Sequence, residues 1–318
     1  MTAIKPIQAS VLHEYKAVAE AGITEQLNEL LAALNRKIVV LDDDPTGVQT
    51  VHNISVYTDW ETESIRKGFE EENDMFFILT NSRGLTVEET TKIHKEIAGT
   101  VVQVSRELDK DFILISRSDS TMRGHYPLET EILKAECEKK TGKRYDGEII
   151  FPFFQEGGRF TINNVHYVKE EDLLIPAGMT EFAKDKSFAY QASHLGKWCE
   201  EKTKGVYKSE NMTYISLEDL RNVNIDVIEN QLLAVNQFNK VVVNAIDYVD
   251  VKVFCIALIR AILKGKEFIF RSAAALTKVL GGVPDKALLA KEELVTPDST
   301  NGGIVLVGSH VNKTTQQL

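Results

Sequence analysis

The sequence predicts an α/β protein built on an open, mostly parallel, Rossmann-like sheet with helices on both faces. Short β-branched runs recur along the chain, and their near-continuous apolar character suits strands buried on both sides. Helical stretches with recognisable start signals lie between them. Alternation of this kind is that of an open α/β sheet, whose ligands bind outside the carboxyl ends of the strands.

Strands are expected at Lys37–Leu41, Met75–Thr80, Asp111–Ser116, Glu148–Phe151, Met212–Ile215, Val241–Asn244, Glu267–Phe270 and Ile304–Val307. Thr86-x-x-Glu89 reads as a capping box, followed by an apolar stripe of Ile93, Ile97, Val101, Val104 and Leu108. Pro127 suits the first turn of a helix carrying Leu128, Ile132 and Leu133. Asp226-x-x-Glu229 reads as the opening of another, with Leu232, Leu233 and Val235 on it. The stretch near 152–220 breaks this rhythm with glycines, aromatics and polar residues. It is either an insertion folding over the site or a long surface excursion.

The chain has 318 residues, 43% of them hydrophobic, enough to bury a substantial core. Its formal charge of −10 argues against a nucleic-acid partner, because a phosphate backbone would be repelled over most of the surface. The N-terminus lacks the apolar run of a signal peptide, and no segment is long enough to span a bilayer. Cys137, Cys199 and Cys255 are far apart and odd in number, which favours buried thiols in a reducing cytoplasm. The histidines show no paired spacing for zinc, and no metal site is expected from them.

The strand ends carry the chemistry. Asp42-Asp43-Asp44-Pro45-Thr46-Gly47 follows the first, Asn81-Ser82-Arg83-Gly84 the next, and Arg117-Ser118-Asp119-Ser120-Thr121-Met122-Arg123-Gly124 the third. Pro152 through Arg159 follows the fourth, and Arg271-Ser272-Ala273 and Gly308-Ser309 end later ones. A single arginine in such a turn is commonly a solvated charge. Arginine beside Gly or Ser at several ends of one sheet, in an acidic protein, is an arrangement for holding a small anion. Adjacent carboxylates repel unless they bind cations, accept from hydroxyls or share a proton. The aspartates therefore read as a base for a substrate hydroxyl, against the plainer reading of an Asp-rich turn.

Two enzyme readings compete for the first motif. Ile38 through Thr46 fits the strand plus DxDxT of the haloacid dehalogenase superfamily, with Asp42 as nucleophile and Asp44 as acid/base of a phosphatase. That reading lacks the GDxxxD motif that closes the magnesium site, since Asp247 and Asp250 follow Asn244-Ala245-Ile246. The second reading uses more of the chain. Asp42 through Thr50 resembles the aspartate-rich opening of the four-carbon acid sugar kinase family, which includes D-threonate and D-erythronate kinases. Thr80-Asn81-Ser82-Arg83, then Ser118 through Gly124 (a DSTxRG motif), is similar to that family in the same order. So are Pro152 through Arg159 with His166-Tyr167-Val168, Phe182-Ala183-Lys184-Asp185, and Arg271-Ser272-Ala273-Ala274. His125 departs from it, standing where relatives often carry Asn.

The resemblance implies ATP- and Mg2+-dependent phosphorylation of a four-carbon sugar acid, with an N-terminal domain for the acid and a C-terminal one for ATP. It implies substrate contacts from Asp43, Asp44, Thr46, Arg83, Asp119, Ser120, Arg123, Arg159, Arg271 and Ser272, with the base among Asp43, Asp44 and Asp119. Gly308 and Ser309 resemble the start of the nucleotide site. On this basis residues 1–300 form the acid-sugar domain and 301–318 open an incomplete nucleotide-binding domain, the chain having been cut or its gene interrupted. As it stands, the chain is expected to be inactive, and a binding module without catalysis is the non-enzyme alternative. A small anionic sugar acid is the expected partner, with neither nucleic acid nor membrane, and a homodimer stays open.

Overall fold

The apolar runs form strands because β-branched and aromatic side chains pack well on a pleated surface that is covered from both sides. The computed structural model describes residues 4–295, 300, 302–308, 314–315 and 318. Its elements begin with β1 (Ile7–Gln8), α1 (Ala21–Leu34), β2 (Lys37–Asp42), β3 (Val56–Tyr57) and α2 (Thr62–Glu70). Next come β4 (Met75–Leu79), α3 (Val87–Leu108), β5 (Phe112–Arg117), α4 (Leu128–Thr141) and β6 (Gly147–Phe151). Then follow β7 (Arg159–Ile162), β8 (Val165–Glu170), β9 (Leu173–Pro176), α5 (Leu195–Lys202), β10 (Thr213–Ile215) and α6 (Leu217–Arg221). The series closes with α7 (Ile225–Ala234), β11 (Asn239–Val243), α8 (Tyr248–Leu263), β12 (Phe268–Ser272), α9 (Ala274–Leu280) and α10 (Lys291–Leu294). Contacts group the chain into two units, Met1–Pro284 and Asp285–Leu318.

Eight strands of the first unit make one parallel sheet in the order β10-β11-β6-β12-β5-β2-β4-β3. Ile38, Val40, Phe77, Ile115 and Phe270 face α1, α7, α8 and α9 on one side. Val39, Leu41, Phe76 and Leu114 face α2, α3 and α4 on the other. After β2 the chain builds β3 and β4 on one flank, then crosses to β5 on the opposite flank. The β2–β5 boundary is thus a topological switch point, where open α/β sheets place their ligands. Register brings Asp42 opposite both Leu79 and Arg117, and Arg271 opposite Ser116 and Ile150.

The capping box at Thr86 forms, with Glu89 N 3.2 Å from Thr86 Oγ1 and Thr86 N 2.9 Å from Glu89 Oε2. Pro127 stands at the N-cap position immediately before α4, one residue short of the first turn expected for it. The helix expected to open at Asp226 forms, with Asp226 in its first turn. α7 starts at Ile225, and Asp226 and Glu229 both pair with Arg260 of α8. The stretch near 152–220 is ordered, not irregular: β7, β8 and β9 form an antiparallel sheet joined by β1 from the N-terminus. Its strands escape a search for buried apolar runs because charged residues such as Lys169 and Glu170 interrupt them.

In the second unit, Ile304–Val307 forms no strand. A strand exists through a hydrogen-bonded neighbour, and none is present among the described residues, where Leu306 is 91% exposed. Gly308 is exposed and Ser309 lies outside the described residues. Cys137, Cys199 and Cys255 are buried and free. Among the described residues, no helix is long and apolar enough to cross a membrane.

Candidate functional site

Asp42 ends β2 with its carboxylate buried beneath the following turn. A Cβ on Gly47 would sit 1.4 Å from Asp42 Oδ2, so the turn closes over the carboxylate only because residue 47 is glycine. Arg117, at the end of β5, places Nη1 3.5 Å from Asp42 Oδ1. Burial pushes the Asp42 carboxyl up to about 7, with Asp43 and Asp44 adding to the rise and Arg117 opposing it.

The next two aspartates converge on Arg83. Its Nε lies 3.0 Å from Asp43 Oδ2, Nη2 2.6 Å from Asp43 Oδ1, and Nη1 2.6 Å from Asp44 Oδ2. All three nitrogens are therefore engaged. Asn81, in the left-handed region at φ 53°, makes the turn that delivers Arg83. Burial pushes Asp43 up to about 6 against the pull of Arg83, while Glu129 and Asp119 raise it further. Asp44 is lowered instead: burial works against its ionisation, but Arg83, Thr46 and Arg117 outweigh it. Thr46 N donates to Asp44 Oδ1 at 2.8 Å, and the Thr46 hydroxyl donates to the same oxygen.

The turn after β5 adds Asp119 and Arg123. Asp119 Oδ2 accepts from Arg123 Nε at 2.8 Å, from Arg123 N at 3.2 Å and from the Thr121 hydroxyl. Burial opposes its ionisation, yet Arg83 and Arg123 hold it well below the usual carboxylate range. Arg123 and Arg159 both lie against the Phe182 ring, at 5.1 and 5.4 Å from its centroid. Arg271 is buried against the Trp198 and Tyr126 rings, and its Nη2 donates to Arg123 O at 3.0 Å. Among the described residues, Arg159 Nε, Arg271 Nη1 and Ser272 Oγ are buried side-chain atoms without a hydrogen-bond partner.

Two poles result. Asp43, Asp44 and Asp119 form a carboxylate pole knotted by Arg83, and Arg123, Arg159 and Arg271 form a guanidinium pole with donor capacity left over. The Asp119–Arg123 pair joins them. Thr46 and Ser120 border this region, and Ser120 offers its carbonyl to His166 Nε2 at 2.8 Å. A cavity of about 560 Å³ opens beside Arg83 and Gly124, walled by Leu85, Tyr126, Phe188 and Lys202. His125 also lines it, with Nε2 2.9 Å from Leu85 O.

Asp42, Asp43 and Asp44 bring carboxylate oxygens within 4.8 Å of one another, the donor set among the described residues that could hold a cation. Arg83 and Arg117 already supply positive charge to those oxygens, so the set does not fit a divalent ion. Asp247 and Asp250 cap α8, and Asp250 is bound by Arg221 at 2.7 Å. They leave the dehalogenase reading without its closing carboxylates. Sequence reasoning named Arg117 at a strand end without assigning it a role, and passed over Tyr190 and Glu129. Arg117 was legible as a charge ending a buried strand, but Tyr190 and Glu129 carry no local signal and are gathered only by the fold.

A family model described as a sugar-binding N-terminal domain matches residues 38–280. A domain of unknown function from Bordetella bronchiseptica, a domain-swapped dimer with bound citrate, has a similar fold. It superposes with a TM-score of 0.55 at 19% identity, over 77% of this chain and 55% of that one. A Haemophilus influenzae protein of the same family of unknown function gives 0.53 at 15% identity, over 76% and 55%. The chain thus spans about 55% of the length of these structures. No curated protein matches it.

Proposed function

The chain belongs to the family of sugar-binding N-terminal domains, and from that premise we propose that it binds the acceptor for an ATP-dependent kinase of four-carbon sugar acids. The two-poled site is the observation that carries this reading. A sugar acid has hydroxyls that donate to carboxylates and a carboxylate that takes guanidinium donors. The motif resemblance to four-carbon acid sugar kinases agrees with the family match and suggests a threonate or erythronate type of substrate. The Bordetella protein's citrate is a small polycarboxylate, which supports an anionic ligand by analogy, and its dimer supports a homodimer here.

In this reading the acid's carboxylate meets the unmatched donors of Arg159, Arg271 and Ser272, with Arg123 beside them. Its hydroxyls face Asp43 and Asp44. Asp43 is the best-matched base, since a carboxyl held up at about 6 has a proton affinity near working pH. Asp119 stays ionised and orients Arg123. Arg83, with its nitrogens all engaged, holds the aspartates instead of touching the ligand. ATP with Mg2+ would present the γ-phosphoryl group from a second domain facing these strand ends. The share of this chain is positioning and charge. Residues 1–300 would then be the acid-sugar domain, as the motifs imply. A binding module with no chemistry of its own is the second reading, favoured by a family match that concerns sugar binding alone.

Calorimetry with D-threonate, D-erythronate, a neutral four-carbon tetritol and ATP tests the proposal. The acids are expected to bind, the tetritol to bind far more weakly, and Arg271→Lys to lose most of the difference. Equal affinity for tetritol and acid would overturn the assignment of the guanidinium pole. In a version with both domains, Asp43→Asn should abolish phosphorylation while keeping acid binding, and near-normal turnover would remove Asp43 as the base.

A further inference from the structure

The turn from Asp119 to Gly124 carries two charged side chains of the site, and its main-chain N–H groups at Met122 and Arg123 both bond back to Asp119. Met122 N donates to Asp119 O at 2.9 Å, and Arg123 N to the Asp119 side chain. Met122 itself is fully buried at φ 67°, a left-handed conformation that side chains other than glycine seldom adopt. Something outside the turn must hold it there.

Three of its carbonyls are each met by a donor from a distant element. His166 Nε2 lies 2.8 Å from Ser120 O, Tyr190 Oη 2.7 Å from Thr121 O, and Arg271 Nη2 3.0 Å from Arg123 O. The peptide unit is planar, so fixing a carbonyl also fixes the direction of the next N–H. We infer that His166 and Tyr190 are positioning residues, which lock the turn by gripping two successive carbonyls and so make the antiparallel excursion a working part of the site.

Each clamp is itself held. The Thr161 hydroxyl, 2.9 Å away, occupies His166 Nδ1, and Thr161 is bridged through its main chain to Ala245 just beyond β11. Burial keeps the imidazole neutral, so it has one N–H to give, and Nε2 gives it to Ser120. Tyr190 N is bonded to Ala183 O, and its phenol is buried near Asp119 and the three arginines of the cationic pole. Burial and the Asp119 charge keep that phenol protonated and able to donate.

The role in ligand binding rests on the proposed function, but the role in shaping the turn can be read without ligand. Hydrogen exchange would be followed at Met122 and Arg123 in Tyr190→Phe, His166→Phe and His166→Gln. Loss of one hydrogen bond should speed both amides about fivefold in Tyr190→Phe and His166→Phe, with Leu114 in β5 unchanged. His166→Gln, which keeps a donor, should restore most of the protection. Acid-sugar affinity should weaken by a similar factor in the two phenylalanine variants. Wild-type exchange at both amides in Tyr190→Phe, which removes one oxygen atom, would overturn the inference even if His166→Phe fails to fold. If the unmodified protein binds no sugar acid, the proposed function falls while the exchange result still decides this one.

Discussion

Arg83 grips Asp43 by both oxygens, with Nε 3.0 Å from Oδ2 and Nη2 2.6 Å from Oδ1, and reaches Asp44 with its remaining nitrogen. A buried carboxylate deprived of its partner costs about 3–5 kcal/mol. Arg83→Ala is accordingly expected to lose a few kcal/mol of stability in urea titrations, and Arg83→Lys nearly as much, since an ammonium cannot reproduce the fork. A loss confined to ligand binding, with stability intact, would instead make Arg83 a substrate contact.

Asp42 predicts a pH dependence of opposite sign to that of an ordinary salt-bridged acid. Its folded value of about 7 lies above the ordinary 3.8, so the native state binds the proton more firmly than the unfolded chain. Stability then falls as pH rises from 3.8 to about 7, and Asp43, at about 6, acts in the same direction. Asp42→Asn stays neutral throughout and should flatten this fall. Urea melts of both proteins at pH 5 and pH 8 provide the comparison, and parallel losses would count against it.

Gly47→Ala is predicted to disturb the aspartate turn directly, because the new methyl would coincide with the Asp42 carboxylate. Forcing atoms into a packed site typically costs about 1–3 kcal/mol. The same change should weaken acid binding, because the turn also carries Asp43 and Asp44. Unchanged calorimetric affinity together with an unchanged melting temperature would contradict the packing described for this turn.

Beneath the site, Lys240 and Glu148 form a fully buried pair at 2.5 Å, with the ammonium 3.9 Å from the Tyr207 ring centroid and 4.0 Å from that of Phe238. Lys240→Met leaves the Glu148 side chain buried with no cation beside it and should destabilise by about 3–5 kcal/mol. Adding Glu148→Leu should recover most of that loss, as both charges are then gone. A double variant as unstable as the single one would show that the pair contributes more than mutual neutralisation.

The parallel sheet was readable because strands covered on both faces must be apolar at nearly every position, as Ile38 through Leu41 and Met75 through Leu79 are. The excursion was not, because β7 and β8 carry charges unlike a doubly covered strand, and β9 is only four residues long and ends in proline. Ile304–Val307 shows the converse: the right composition makes no strand without a neighbour. In the site, Asp43, Asp44, Asp119 and Arg123 were legible as strand-end residues. The division of labour among the arginines was not. Arg83 and Arg271 look alike in sequence, and only three-dimensional packing reveals that one has every nitrogen engaged while the other keeps Nη1 unmatched.

β12 follows every other strand of the sheet along the chain, yet it lies between β5 and β6. While the protein is being made on the ribosome, two partial sheets wait with bare edges that invite pairing with the wrong chain. The strand that seals that gap ends in Arg271 and Ser272. A pause in translation before Phe268 would therefore withhold Arg271, the last member of the cationic pole, together with the strand that fills the gap, so the complete site would form only once the risk of mispairing had passed.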